Sequence, residues 1–95
     1  MAKIDKSHVQ EVIEKLNSTF DTHEFIKQFT KDFEREYVEL LCKHKYHSNI
    51  FKSAHAEIGK FLADKSSDLH IEKLEKTCSD NIKDYPSENQ RWCKI

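Results

Sequence analysis

Apolar residues recur along most of this chain at helical spacing, and the rhythm changes only near the C-terminus. Val9, Val12, Ile13 and Leu16 stand at i, i+3, i+4 and i+7, one stripe of an amphipathic helix. Ser7 offers its N-cap, with Gln10 at the capping-box position. Residues 1–6 read as a polar, loose leader, and Asn17-Ser18-Thr19 end the helix. Asp21 with Glu24 repeats the capping-box spacing, with Asp in the usual role of Ser or Thr. The strongest pattern follows: Phe25, Ile26, Phe29, Phe33, Tyr37, Val38, Leu40 and Leu41. It fits one helix over 23–44 or two helices broken near Thr30 to Asp32.

Residues 43–49 form a polar connector. Ser48 or Asn49 then caps a further stripe of Ile50, Phe51, Ala54, Ile58, Phe61 and Leu62, ending near Asp64. Gly59 sits inside it at a cost of about 1 kcal/mol against Ala. With Ala54, Ala56 and Ala63 nearby, it predicts the close approach of another helix.

Beyond Ser66-Ser67 two rhythms compete. Ile71, Leu74, Cys78 and Ile82 fit a helix, whereas Leu69 and Ile71 alternate with polar neighbours as in a strand. Residues 81–89 are polar, hold the only proline, Pro86, and predict an exposed loop. Arg91 to Ile95 alternates again, so 69–76 and 90–95 can form a β-hairpin. The expected fold is therefore mainly α, of the α+β class: a single domain over 1–95 with a three-helix core and a short C-terminal hairpin. The alternative is an all-α bundle of four or five helices in which 68–79 is helical. Pairing of Leu69–Leu74 with Arg91–Ile95 separates the two.

Composition narrows this picture. One Gly and one Pro in 95 residues argue against a turn-rich all-β fold and a Gly-rich phosphate loop. No apolar run approaches the length of a membrane span or a signal peptide, so neither a membrane partner nor a targeting segment is expected. Three Cys is an odd count that points to reduced thiols and a cytoplasmic setting.

A net charge of -1 argues against bulk electrostatic binding to nucleic acid, but its distribution is uneven. Asp32, Glu34, Glu36 and Glu39 form an acidic stretch. Leu40 to Ala56 then carries Lys43, Lys45, Lys52, His44, His47 and His55 with no acid. Lys43, Lys45, Ser48, Asn49, Lys52 and Ser53 are the candidate nucleic-acid contacts, since cations and small hydrogen-bonding side chains at a helix start suit phosphate. Tyr46, Tyr85 and Trp92 lie in polar neighbourhoods and are candidate anchors for a protein partner, although Trp92 equally suits a place over the core of a small domain.

Chemistry beyond binding finds little support. Cys42, His44 and His47 have zinc-ligand chemistry, but their spacing matches no standard finger and no C-x-x-C knuckle accompanies it. No metal or cofactor is expected. Glu34 and Glu36, two apart, fall on different helix faces, and no Gly-containing loop offers an oxyanion hole, so the expectation is a non-enzyme.

The order of three helices and a hairpin resembles a winged-helix domain, a helix-turn-helix variant. Phe20 to Ile26 would lead into a helix, and Ile50–Leu62 would be the recognition helix. Leu69–Leu74 and Arg91–Ile95 would be the wing strands, with 81–89 as the tip. The resemblance implies a small regulator that binds nucleic acid through 48–56, and a homodimer, since such domains often pair. The tip departs from the pattern, because Asp80, Asp84 and Glu88 leave Lys83 outnumbered. A near-neutral, highly charged, helix-rich surface equally predicts a protein-interaction module, an adaptor or inhibitor without nucleic-acid binding.

Overall fold

Helix α1, Lys6–Lys15, forms where Val9, Val12 and Ile13 fall on one stripe, and all three are buried. In the computed structural model, which describes residues 4–95, its N-cap is Asp5 rather than Ser7. The Asp5 carboxylate accepts the Ser7 backbone N–H at 2.8 Å and the Ser7 hydroxyl at 2.6 Å. Those two hydrogen bonds favour the charged form and hold the Asp5 pKa below its ordinary value. Ile4 packs against the core, so residues 4–6 of the expected loose leader belong to the fold. Residues 1–3 of that leader lie outside the described residues.

Strand β1, Thr19–Asp21, is only three residues long, too short for any alternation to show in sequence. Its central residue, Phe20, is buried opposite Trp92. Asp21 then caps helix α2, Thr22–Asp32, through the predicted capping box. The Glu24 N–H donates to Asp21 Oδ1 at 2.8 Å, and the Asp21 N–H donates to Glu24 Oε1 at 3.0 Å.

The long apolar stretch is two helices. It breaks at Phe33 (φ −131°, ψ 54°), just beyond the predicted Thr30–Asp32 window, and resumes as α3, Glu34–Lys43. No side chain caps the second start. Contacts with α1 set the break: Phe33 stacks on His8 with ring centroids 4.4 Å apart, and Asp32 takes a 3.0 Å ion pair from Lys15. The Asn49 side chain caps helix α4, Ile50–Asp64, accepting from the Lys52 N–H at 3.1 Å.

Strands β2, Ile71–Asp80, and β3, Pro86–Lys94, pair antiparallel, with Ile71 opposite Lys94 and Asp80 opposite Pro86. This pairing makes 71–80 a strand and overturns the all-α alternative. The fold is α+β, four helices and a three-stranded antiparallel sheet in the order β1-β3-β2. The predicted loop over 81–89 is corrected to a turn at 81–85, because β3 starts at Pro86. A proline is tolerated as the first residue of a strand, where no ladder donor is lost.

Strand β2 is an edge of this sheet. Glu72, Lys73, Glu75 and Lys76 are exposed along it, and a bulge lies between Lys73 and Lys76. Charges and bulges both deter pairing with another chain's strand.

One hydrophobic core joins α1–α4 to the sheet. Trp92 is 1 % exposed within it, and its indole N–H donates to Thr22 Oγ1 at 3.1 Å. Of the two readings of Trp92, core cover and partner anchor, the structure gives the first: the alternation of β3 turns this ring inward, opposite Phe20.

Gly59 departs from expectation. A Cβ built there meets nothing within 4 Å, so no helix among the described residues packs closely on it. Gly59→Ala is therefore expected to stabilise the domain by about 0.5–1 kcal/mol, through helix propensity and a less flexible unfolded chain. Denaturant titration measures this, and a loss of stability would show that the site is crowded after all.

Candidate nucleic-acid interface

The candidate surface is built on α4. Ala54, Ile58 and Leu62 face the core, which turns Lys52, Ala56 and Lys60 outward, four residues apart. Among the described residues neither lysine is in an ion pair. The nearest acid on this helix, Glu57, is committed: Lys43 Nζ lies 2.9 Å from its Oε2 and His44 Nε2 2.8 Å from its Oε1. Burial alone would raise the Glu57 pKa, but the Lys43 and His44 hydrogen bonds outweigh it and hold the carboxyl below its usual range. The outward face of α4 thus presents two unpaired cations, with Glu57 neutralised and Asp64 an exposed acid at its C-terminal end.

The sequence-predicted contacts divide. Lys52 lies on the outward face, with Ser48 and Asn49 exposed at the helix start and Ser53 half-buried beside it. The Lys45 ammonium rests 5.1 Å over the Tyr46 ring, on the exposed connector. Lys43 is not a free cation, because its ammonium holds Glu57. Lys60 was missed, although its spacing of eight from Lys52 is the signal that places both on one helix face. Of the candidate partner anchors, Tyr46 is 90 % and Tyr85 66 % exposed.

Behind α4, His55 Nε2 lies 2.7 Å from the Tyr37 hydroxyl. Burial pushes the His55 pKa down to about 4, with a smaller contribution from His23, and burial pushes Tyr37 up to about 12. At neutral pH the imidazole is therefore uncharged and the phenol protonated, and the two share a neutral hydrogen bond. An unfolded histidine titrates near 6.5. Between that pH and about 4 the unfolded chain binds this proton and the folded one does not, so stability falls as pH drops through the window.

A loss on the order of 1–3 kcal/mol is expected, the lower part of the range reflecting partial exposure. His55→Gln retains a hydrogen-bond partner for Tyr37 and is expected to flatten this acid limb. Urea titrations of both proteins at neutral and acidic pH test this, and identical acid limbs would rule His55 out.

Among the described residues no group of three or more His, Cys, Asp or Glu is placed to hold a metal ion. Cys42 and Cys78 are exposed free thiols and Cys93 is half-buried. No helix among the described residues is long and apolar enough to cross a membrane. No protein-family model matches the chain, and neither a curated protein nor a solved structure does.

Proposed function

We propose that this chain is a small, non-enzymatic domain of winged-helix type that binds nucleic acid through the outward face of α4. The observation that carries the binding role is the unpaired row Lys52, Ala56 and Lys60, with Glu57 locked by Lys43 and His44. Small side chains between the lysines let a helix approach a groove closely, while the cations engage phosphate and release counterions. The element order supports the fold type. Helices precede a C-terminal hairpin, four of them rather than the three expected, and a short strand after α1 completes a sheet ordered β1-β3-β2. In this reading α4 is the recognition helix and β2–β3 the wing.

A second reading rests on the wing tip. Tyr85 is exposed there, and the outward carboxylates of Asp80, Asp84 and Glu88 near it suit a basic protein surface. One experiment addresses both. Gel shift at low salt with random duplex and single-stranded DNA is expected to show a complex that weakens as salt rises. No complex at low salt, together with a protein partner that survives nuclease treatment in a pull-down, would replace the first reading with the second.

A further inference from the structure

Beside the outward face of α4, the first turn of that helix and the β2–β3 turn enclose a groove of about 360 Å³. Four side chains on its lining carry donors that the fold leaves unused. Asn49 Oδ1 is taken by the Lys52 N–H at 3.1 Å. Asn81 Oδ1 is taken by the Lys83 N–H at 2.9 Å and the Tyr85 N–H at 3.2 Å. With each carbonyl oxygen fixed on backbone donors, the free end of both residues is the NH2 group. Neither NH2 donates to another of the described residues.

Lys52 and Lys83 supply the other two donors, and among the described residues neither pairs with a carboxylate. The Lys83 ammonium lies 5.3 Å over the Phe51 ring, which ties the hairpin turn to the wall of the groove. The single carboxylate on the lining is the exposed Glu88, 3.9 Å from Lys76 Nζ.

Two ammonium groups and two amide NH2 groups, contributed by two separate elements, make a donor-rich and acceptor-poor groove. Such a lining matches an anion. A carboxylate offers its two oxygens in one plane. A tetrahedral phosphate offers oxygens in several directions and meets donors arriving from both sides. We propose that this groove binds a phosphate group, with Asn49 and Lys52 engaging it from α4 and Asn81 and Lys83 from the hairpin turn. The site does not depend on nucleic-acid binding by α4: the phosphate belongs either to a free phosphomonoester or to a nucleic-acid backbone.

The test is amide NMR titration of the whole chain with three probes: inorganic phosphate, adenosine monophosphate and a short DNA duplex. The decisive variant is Asn49→Asp with Asn81→Asp. Aspartate caps as well as asparagine, so every backbone N–H keeps its acceptor, while each donor becomes an anionic oxygen. Phosphate or the nucleotide is expected to shift amides of 49–52 and 81–85. The double variant is expected to weaken that binding by about tenfold or more with an unchanged melting temperature. Glu88→Gln is expected to tighten it.

Shifts from the free anions with no duplex binding would support a phosphomonoester site while defeating the nucleic-acid reading. Shifts from the duplex, reversed by added phosphate, would support a backbone phosphate. Silence of these amides towards all three probes, or equal binding by the double variant, would overturn the proposal.

Discussion

Trp92→Ala is expected to lower the stability of this domain by about 3–5 kcal/mol, the cost of truncating a large, fully enclosed aromatic side chain. A domain of this size is stable by only about 5–15 kcal/mol, so the variant keeps little margin. The thermal midpoint should fall by roughly 12–40 °C. Three contributions meet at this residue. Its ring is 1 % exposed and sits opposite Phe20, joining β3 to β1. Lys73 is its partner on β2, so the same residue lies on the central strand of the sheet. Its indole N–H donates to Thr22 at the first turn of α2, tying sheet to helix.

Trp92→Phe separates packing from hydrogen bonding. It keeps an aromatic ring, and the Thr22 hydroxyl still donates to the Gln90 carbonyl at 3.0 Å, so its cost should be much smaller. Circular-dichroism melts measure both variants. A midpoint for Trp92→Ala within a few degrees of the parent would mean that the ring is not part of the core.

Trp92 also shows where the sequence is hard to read. Its neighbours are charged or polar on both sides, and polar surroundings are what an exposed anchor and an inward position on a half-buried strand have in common. Choosing between them needs the partner strand, and β1 is three residues long and carries no pattern of its own. The helices were more legible because their signals are local. The Asp21–Glu24 capping box and the stripe of α4 involve residues within a few turns of one another.

The break at Phe33 is an intermediate case. It depends on His8 and Lys15 in another helix, so composition near Thr30–Asp32 only approached the position. The candidate site divides in the same way. Lys52 and Asn49 could be found from their place at a helix start. The commitment of Lys43 to Glu57, and the arrival of Asn81 and Lys83 beside α4, arise from tertiary placement alone.

Reversing Lys52 and Lys60 together is expected to remove nucleic-acid binding at low salt, with a loss of roughly 100-fold or more. Each substitution to Glu deletes a cation and installs an anion in the same place, so a phosphate that was attracted is repelled. Neutralising both with Gln should give an intermediate loss and reduce the slope of log K against log salt by about two, one for each phosphate contact removed. The fold should tolerate the change, because both side chains are exposed. An acid at 52 lies in the first turn of α4, where the helix dipole favours it. An acid at 60 lies three residues from Glu57 and four from Asp64, a like-charge cost of a few tenths of a kcal/mol. Lys31→Glu, an exposed reversal on α2, is the control, and its effect should be small. Wild-type binding that survives the double reversal would place the contact elsewhere on the surface. Binding lost equally in the Lys31 variant would mean that net charge, rather than the face of α4, governs association.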